Sequence, residues 1–336
     1  MRINANGISI DYQIEGPDGA PSVIFSNSLI TNLSMWDDQA VELSKSFRVL
    51  RYDQRGHGGT QATDGAYSFD MLVADVIALM DALAIPRAHF VGLSMGGMTA
   101  LFLAQRHRDR FDRIVACDCG PNSTPASAQQ WRERIELAST KGMEALAEAT
   151  INRWFPPEFI ASKAPVLDKM RGMITATEFK GFAGCAQALS DYDLRPGLTG
   201  IDCPTLLICG TKDATFPGMK QIKEAVPGAT LVEIAGAGHI SNVEQPAAFT
   251  RAVRDFLKPA LSGSISHLQK PQVCAAAVSL QTFEGRYTSF LGQGAVAPLE
   301  TRPGGTPWPL PPRLRKSRKK NCKTGPAQRC RARRAR

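Results

Sequence analysis

The chain has 336 residues, is 43% hydrophobic and carries a formal net charge of +9, enough for one large domain with an appendage or for two domains. Residues 1–20 hold no apolar leader core and no run of about 18 apolar residues occurs, so neither secretion nor membrane spanning is indicated and a cytoplasmic location is expected. Eight scattered cysteines without C-x-x-C spacing argue for free thiols in a reducing compartment rather than a disulfide framework or a zinc site.

Along the chain, Ile8–Ile14 alternates apolar and polar residues, and Ser22–Ser26 and Phe47–Tyr52 are short β-prone runs. Ser68 can cap a helix whose apolar residues Phe69, Leu72, Val73, Val76, Ile77, Met80 and Leu83 fall on one face, with Pro86 beyond its end. A strand over 88–93, a helix over 96–107 and a strand over 113–118 follow. This alternation predicts an α/β fold: a mostly parallel sheet flanked by helices. From Thr124 to about Asp193 only helical patterns occur, rich in Ala, Met and Arg; strand patterns resume at Pro204–Cys209 and Ala229–Ile234, and a helix from about Pro246 to Leu257 closes the domain. The expected organisation is thus a core over 1–123, an inserted helical cap over 124–193 lying above the sheet's carboxyl end, and the rest of the core over 194–260.

Residues 261–336 are a different kind of polypeptide. They hold 15 of the 40 Lys and Arg but only two acids, Glu284 and Glu300, a balance of +13, which leaves 1–260 at −4. Five prolines fall within 302–312, periodicity is absent, and apolar density is too low to fold alone, so a disordered tail is expected. Its basic end suits non-specific contact with an anionic surface, but no nucleic-acid partner is expected for the domain.

The most informative motif is Gly92-Leu93-Ser94-Met95-Gly96, placed after the strand-like His89-Phe90-Val91 and before the helical run from Met98 to Arg106. A G-x-S-x-G between strand and helix is a nucleophile elbow, which holds a serine in a strained backbone conformation with its hydroxyl exposed above the sheet. A nucleophilic serine needs a base and an orienting acid, expected in the chain order Ser, Asp or Glu, His. Asp213 follows the strand Pro204–Cys209 and His239 lies in the loop after the next strand; both sit where the elbow's partners belong. Asp118, also at a strand end, is the competing acid. Among the other histidines, His89 begins a strand, His107 ends a helix, His57 reads as a structural loop residue near the site mouth, and His267 is in the tail. An oxyanion site requires two backbone N–H groups, expected from Met95, which follows the nucleophile, and from Leu29 in the loop after Ser22–Ser26. No metal cluster or phosphate-binding glycine loop is evident, so no cofactor is expected.

Five segments then carry a specific resemblance: Ser26-Asn27-Ser28-Leu29 with Met35-Trp36; Arg51 to Gly58, reading R-Y-D-Q-R-G-H-G; Gly92 to Met98; Arg153-Trp154-Phe155; and His239 to Pro246, reading H-I-S-N-V-E-Q-P. Over about residues 1–258 the chain resembles the α/β-hydrolase superfamily and, within it, the 3-oxoadipate enol-lactonases. The resemblance implies a water-dependent opening of an enol lactone bearing an acetate arm, with a small-molecule lactone as partner. Other readings within reach are another esterase, lactonase or perhydrolase of the same superfamily, and a catalytically silent binding homologue. The substrate's free carboxylate calls for a cation, and Trp131-Arg132-Glu133-Arg134 in the cap matches family members at its outer two positions. Arg134 is therefore the expected carboxylate anchor and Trp154 an expected apolar wall. Two departures stand out: Ile30 replaces the family's usual glycine in N-S-L-G-T, where a positive φ would strain it, and Thr60 replaces a serine.

Overall fold

A computed structural model describes residues 1–258; the basic tail expected to be disordered lies outside the described residues. Eight strands form one sheet: β1 (Arg2–Ala5), β2 (Ile8–Glu15), β3 (Ser22–Ser26), β4 (Arg48–Tyr52), β5 (Ala88–Leu93), β6 (Phe111–Cys117), β7 (Thr205–Gly210) and β8 (Thr230–Ile234), in the order β1-β2-β4-β3-β5-β6-β7-β8. The first two pairings are antiparallel and all others parallel. The α/β sheet expected from the alternation is therefore present, with an antiparallel edge that the apolar pattern did not reveal. β1 is only four residues long and has one buried side chain, so it carries little hydrophobic pattern. Its signal is instead the Asn6-Gly7 pair, which turns the chain so that Ala5 pairs with Ile8.

Helices α1 (Asp37–Leu43), α2 (Phe69–Ala82) and α3 (Met95–Arg106) accompany the first strands. Ser68 caps α2 by accepting from the Met71 N–H at 3.2 Å. Helices α4 (Pro125–Lys141), α5 (Glu144–Trp154), α6 (Pro157–Ala161), α7 (Val166–Ala176), α8 (Phe179–Ser190) and α9 (Arg195–Leu198) all lie between β6 and β7, and α10 (Phe216–Ala225), α11 (Ser241–Glu244) and α12 (Pro246–Leu257) follow the last strands. The short α1 and α10 bury only two or three residues each, too few for a periodic signal.

All six residues of β5 are buried, as expected for a strand covered on both faces. Chain direction across the sheet reverses here: β3 lies between β4 and β5, so the connections from β3 and from β5 leave in opposite directions. Parallel sheets bind ligands at such a switch, in the crevice beyond the strands' carboxyl ends. The Asn27–Ile30 loop after β3 and Ser94 after β5 both open onto that crevice.

Candidate active site

The elbow forms because β5 runs into α3 with no room for side chains between them. A methyl group on Gly92 would meet the Gly96 carbonyl oxygen at 2.0 Å, and one on Gly96 would meet the Ser26 carbonyl oxygen at 2.1 Å. The turn places Ser94 at φ +56°, ψ −113°, in front of the first residue of α3. Its N–H donates to the Cys117 carbonyl at 2.8 Å and its own carbonyl accepts from the Met98 N–H at 2.9 Å. Ser94 is one of three non-glycine residues with positive φ at the ends of neighbouring strands, with Ile30 (+56°) beyond β3 and Asp118 (+48°) directly after β6. Such conformations cost on the order of 1–3 kcal/mol each and cluster where geometry is enforced for function.

The structure brings Ser94, His239 and Asp213 together. His239 Nε2 lies 3.0 Å from Ser94 Oγ, and Nδ1 lies 2.9 Å from Asp213 Oδ2. All three are at least nine-tenths buried. The histidine loop is held by its backbone: the His239 N–H donates to the Trp154 carbonyl at 2.7 Å and the Gly238 N–H to Glu244 Oε2 at 2.8 Å. Thr215, a residue the sequence did not single out, donates to Asp213 through its N–H at 3.1 Å and its hydroxyl at 2.5 Å. Its position two residues after an acid in a loop is an Asx-turn pattern that could have flagged it. Burial alone would raise the Asp213 carboxyl, but the charge and hydrogen bond of His239 and both bonds from Thr215 outweigh it, holding Asp213 below the usual carboxylate range.

Asp118 has a different task. It accepts from the Gly210 N–H at 2.9 Å and from the Ser241 hydroxyl at 2.5 Å, and no hydrogen bond joins it to His239. It thereby ties the end of β6 to β7 and to the helix after His239. Burial and the like charge of Asp213 push its carboxyl well above the usual range. His57 is buried, with Nδ1 3.0 Å from the Arg55 carbonyl, and burial pushes its pKa down to about 4, consistent with a structural role.

The loop after β3 is shaped by its own polar side chains. Asn27 Nδ2 donates to the Thr31 carbonyl at 2.8 Å, the Thr31 hydroxyl donates to the Ser28 carbonyl at 2.8 Å, and the Gln54 amide donates to the Asn27 carbonyl. Within this loop Ile30 does take the left-handed conformation suspected for that position, and its side chain is fully buried. The strain is thus present, offset by burial of a large apolar side chain. Among the described residues, the N–H groups of Leu29 and Met95 make no hydrogen bond within the protein, which leaves both available to an oxygen bound beside Ser94.

In the cap, Arg134 donates to the Thr150 hydroxyl at 2.9 Å, and its guanidinium lies 4.8 Å from the centre of the Trp131 ring. Burial, and then the neighbouring Arg153, pull its pKa down to about 9. Trp154, expected as an apolar wall, is buried at 3% exposure, and its backbone carbonyl accepts the His239 N–H. Trp131, half-buried, is the more accessible indole.

A serine hydrogen-bonded to a histidine that is itself held by a carboxylate can carry out acyl transfer. The α/β-hydrolase fold family model matches residues 21–246, and the chain belongs to that family. Within it, similarity extends to enol-lactonases. The chain is 38% identical over 258 residues to 3-oxoadipate enol-lactonase 2 of Acinetobacter baylyi, covering 76% of this chain and 96% of the relative. The crystal structure of the enol-lactonase from Burkholderia xenovorans LB400 superposes with a TM-score of 0.74 at 42% identity, over 76% of this chain and 99% of that one. A thermophilic esterase from Thermogutta terrifontis, solved with malate bound, matches with a TM-score of 0.73 at 28% identity, over 76% and 98% of the two chains.

Proposed function

We propose that the chain is a cytoplasmic serine hydrolase that opens 3-oxoadipate enol-lactone with water to give 3-oxoadipate, a step of aromatic degradation through the β-ketoadipate pathway. The observation that carries this reading is the continuous hydrogen-bonded line from Ser94 Oγ through His239 to Asp213, at 3.0 and 2.9 Å; similarity to the enol-lactonases supplies the substrate. Ser94 Oγ attacks the lactone carbonyl carbon as His239 Nε2 takes its proton, and Asp213 holds the imidazole in the required tautomer and balances its charge. The carbonyl oxygen becomes an oxyanion received by the N–H groups of Leu29 and Met95. Collapse breaks the ring C–O bond, and the departing enolate is protonated and tautomerises to a ketone, which makes expulsion easy. Water, deprotonated by His239, then attacks the acyl-enzyme and frees the second carboxylate and Ser94. Arg134 anchors the substrate's free carboxylate.

The test is loss of enol-lactone ultraviolet absorbance with wild-type protein beside Ser94→Ala. The expected result is turnover that falls by about 10⁶-fold in the variant, the scale seen when a nucleophilic serine is removed. Wild-type protein that leaves the lactone intact refutes the substrate. Labelling of Ser94 by a fluorophosphonate then separates a hydrolase for another ester from a silent homologue.

A further inference from the structure

Arg134 does not stand alone. Trp131 and Arg134 lie three residues apart on one face of α4, and Thr150 and Arg153 three apart on α5. The two faces meet: Arg134 donates to Thr150, and the guanidinium of Arg153 lies 5.3 Å from the same Trp131 ring that Arg134 approaches at 4.8 Å. Arg51, Arg55, Arg171 and Arg195 each pair with a carboxylate. Neither Arg134 nor Arg153 forms a salt bridge among the described residues. Two guanidiniums gathered on one indole, with Arg153 adding to the cost of charging Arg134, form an arrangement that an anion relieves.

The location points the same way. Arg153 is open to solvent, yet surrounding protein lowers its pKa and the charge of Asp213 acts on it in the opposite sense. The reach of the Asp213 charge puts this guanidinium on the side of α5 that faces the catalytic acid. The next residue, Trp154, is the one whose carbonyl holds the His239 N–H.

We propose that Arg134 and Arg153 form a two-guanidinium clamp that grips a single carboxylate beside Trp131, so that the site selects acyl compounds with an anionic arm over neutral esters of the same length. The clamp rests on the anchor role proposed for Arg134 and adds Arg153 as a specificity-determining residue. Two planar guanidiniums on one carboxylate also fix the arm's direction, which a single flexible cation would not.

The test is binding of adipate, and of its neutral analogue adipamide, by calorimetry to the intact chain and to Arg134→Gln, Arg153→Gln, Arg153→Lys and the double Gln variant, with circular dichroism confirming the fold. Wild type should bind adipate at least about tenfold tighter than adipamide; each single Gln variant should lose about tenfold or more. Arg153→Lys should recover part of that loss. The double variant should lose less than the product of the two single effects, because both cations hold one group. Wild-type affinity in folded Arg153→Gln, equal binding of adipate and adipamide, or fully multiplicative losses would each overturn the clamp. Wild-type protein that binds adipate in this pattern yet leaves the enol-lactone intact would remove the proposed substrate and leave the clamp standing.

Discussion

A single methyl group added at Gly238 should disable the base without touching a reacting atom. A Cβ there would meet the Trp154 carbonyl oxygen at 2.3 Å and Pro156 Cδ at 3.1 Å, against an ordinary contact of 3.4 Å or more. The carbonyl is backbone at the end of α5 and cannot rotate aside, so loop and helix must part by roughly 1 Å. The same oxygen accepts the His239 N–H at 2.7 Å, and its loss costs about 0.5–1.5 kcal/mol of stability. The larger effect is on Nε2, which sits 3.0 Å from Ser94 Oγ: a displacement near 1 Å at a catalytic group lowers the rate by about 10²-fold. Gly238→Ala should therefore show kcat about 10²-fold down on the enol-lactone or on p-nitrophenyl acetate, KM little changed, and fluorophosphonate labelling slowed in parallel. Gly172→Ala, in α7 of the same cap with open space around it, is the control; it should keep wild-type kcat and gain up to about 1 kcal/mol of helix stability. Wild-type kcat in folded Gly238→Ala would refute the claim that Trp154 fixes the base.

Three further outcomes are expected. Asp213→Asn should lower kcat by about 10⁴-fold through the wrong histidine tautomer, whereas Asp118→Asn, which can still accept from Gly210 and meet the Ser241 hydroxyl, should keep near-wild-type kcat; the reverse ranking in steady-state assays would make Asp118 the orienting acid. The folded-state pKa of Asp118 is raised above its unfolded value, so the stability it contributes is fully present below about pH 4 and is lost as pH rises toward that raised value. Thermal melts of Asp118→Asn and wild type should consequently diverge in favour of the variant between pH 5 and 8, and a gap that closes with rising pH would contradict the burial argument. Ile30→Gly should release about 1–2 kcal/mol of left-handed strain but empty a fully buried site worth about 2–5 kcal/mol, so its melting temperature should fall while kcat holds; a large gain in kcat would mean that isoleucine displaces the oxyanion loop.

Most of the sheet was legible because buried parallel strands are continuous apolar runs between glycine-rich turns, as β5 and β7 are. The serine, acid and histidine were legible because strand-end loops place them in a fixed order. Between the two acids the sequence left a competition, since Asp118 and Asp213 both end strands; only their partners separate them. Arg153 was quoted as part of a motif but not read as a partner of Arg134, because their meeting depends on how α4 packs on α5, and nothing in a helical period states that. Trp154 marks a different limit. Its carbonyl holds the His239 N–H, a group that every residue possesses, and no residue identity can announce that.

Ile30, Ser94 and Asp118 put one left-handed residue at each of three neighbouring strand tips. Together they hold several kcal/mol of backbone strain, borne by the paired sheet beneath them. Selection of this protein for heat resistance would reach that row early, since replacements tolerant of positive φ, such as Asn at 118, recover stability directly. At 94 the same gain would come only with loss of the nucleophile, so the ceiling on stability and the chemistry meet at one residue.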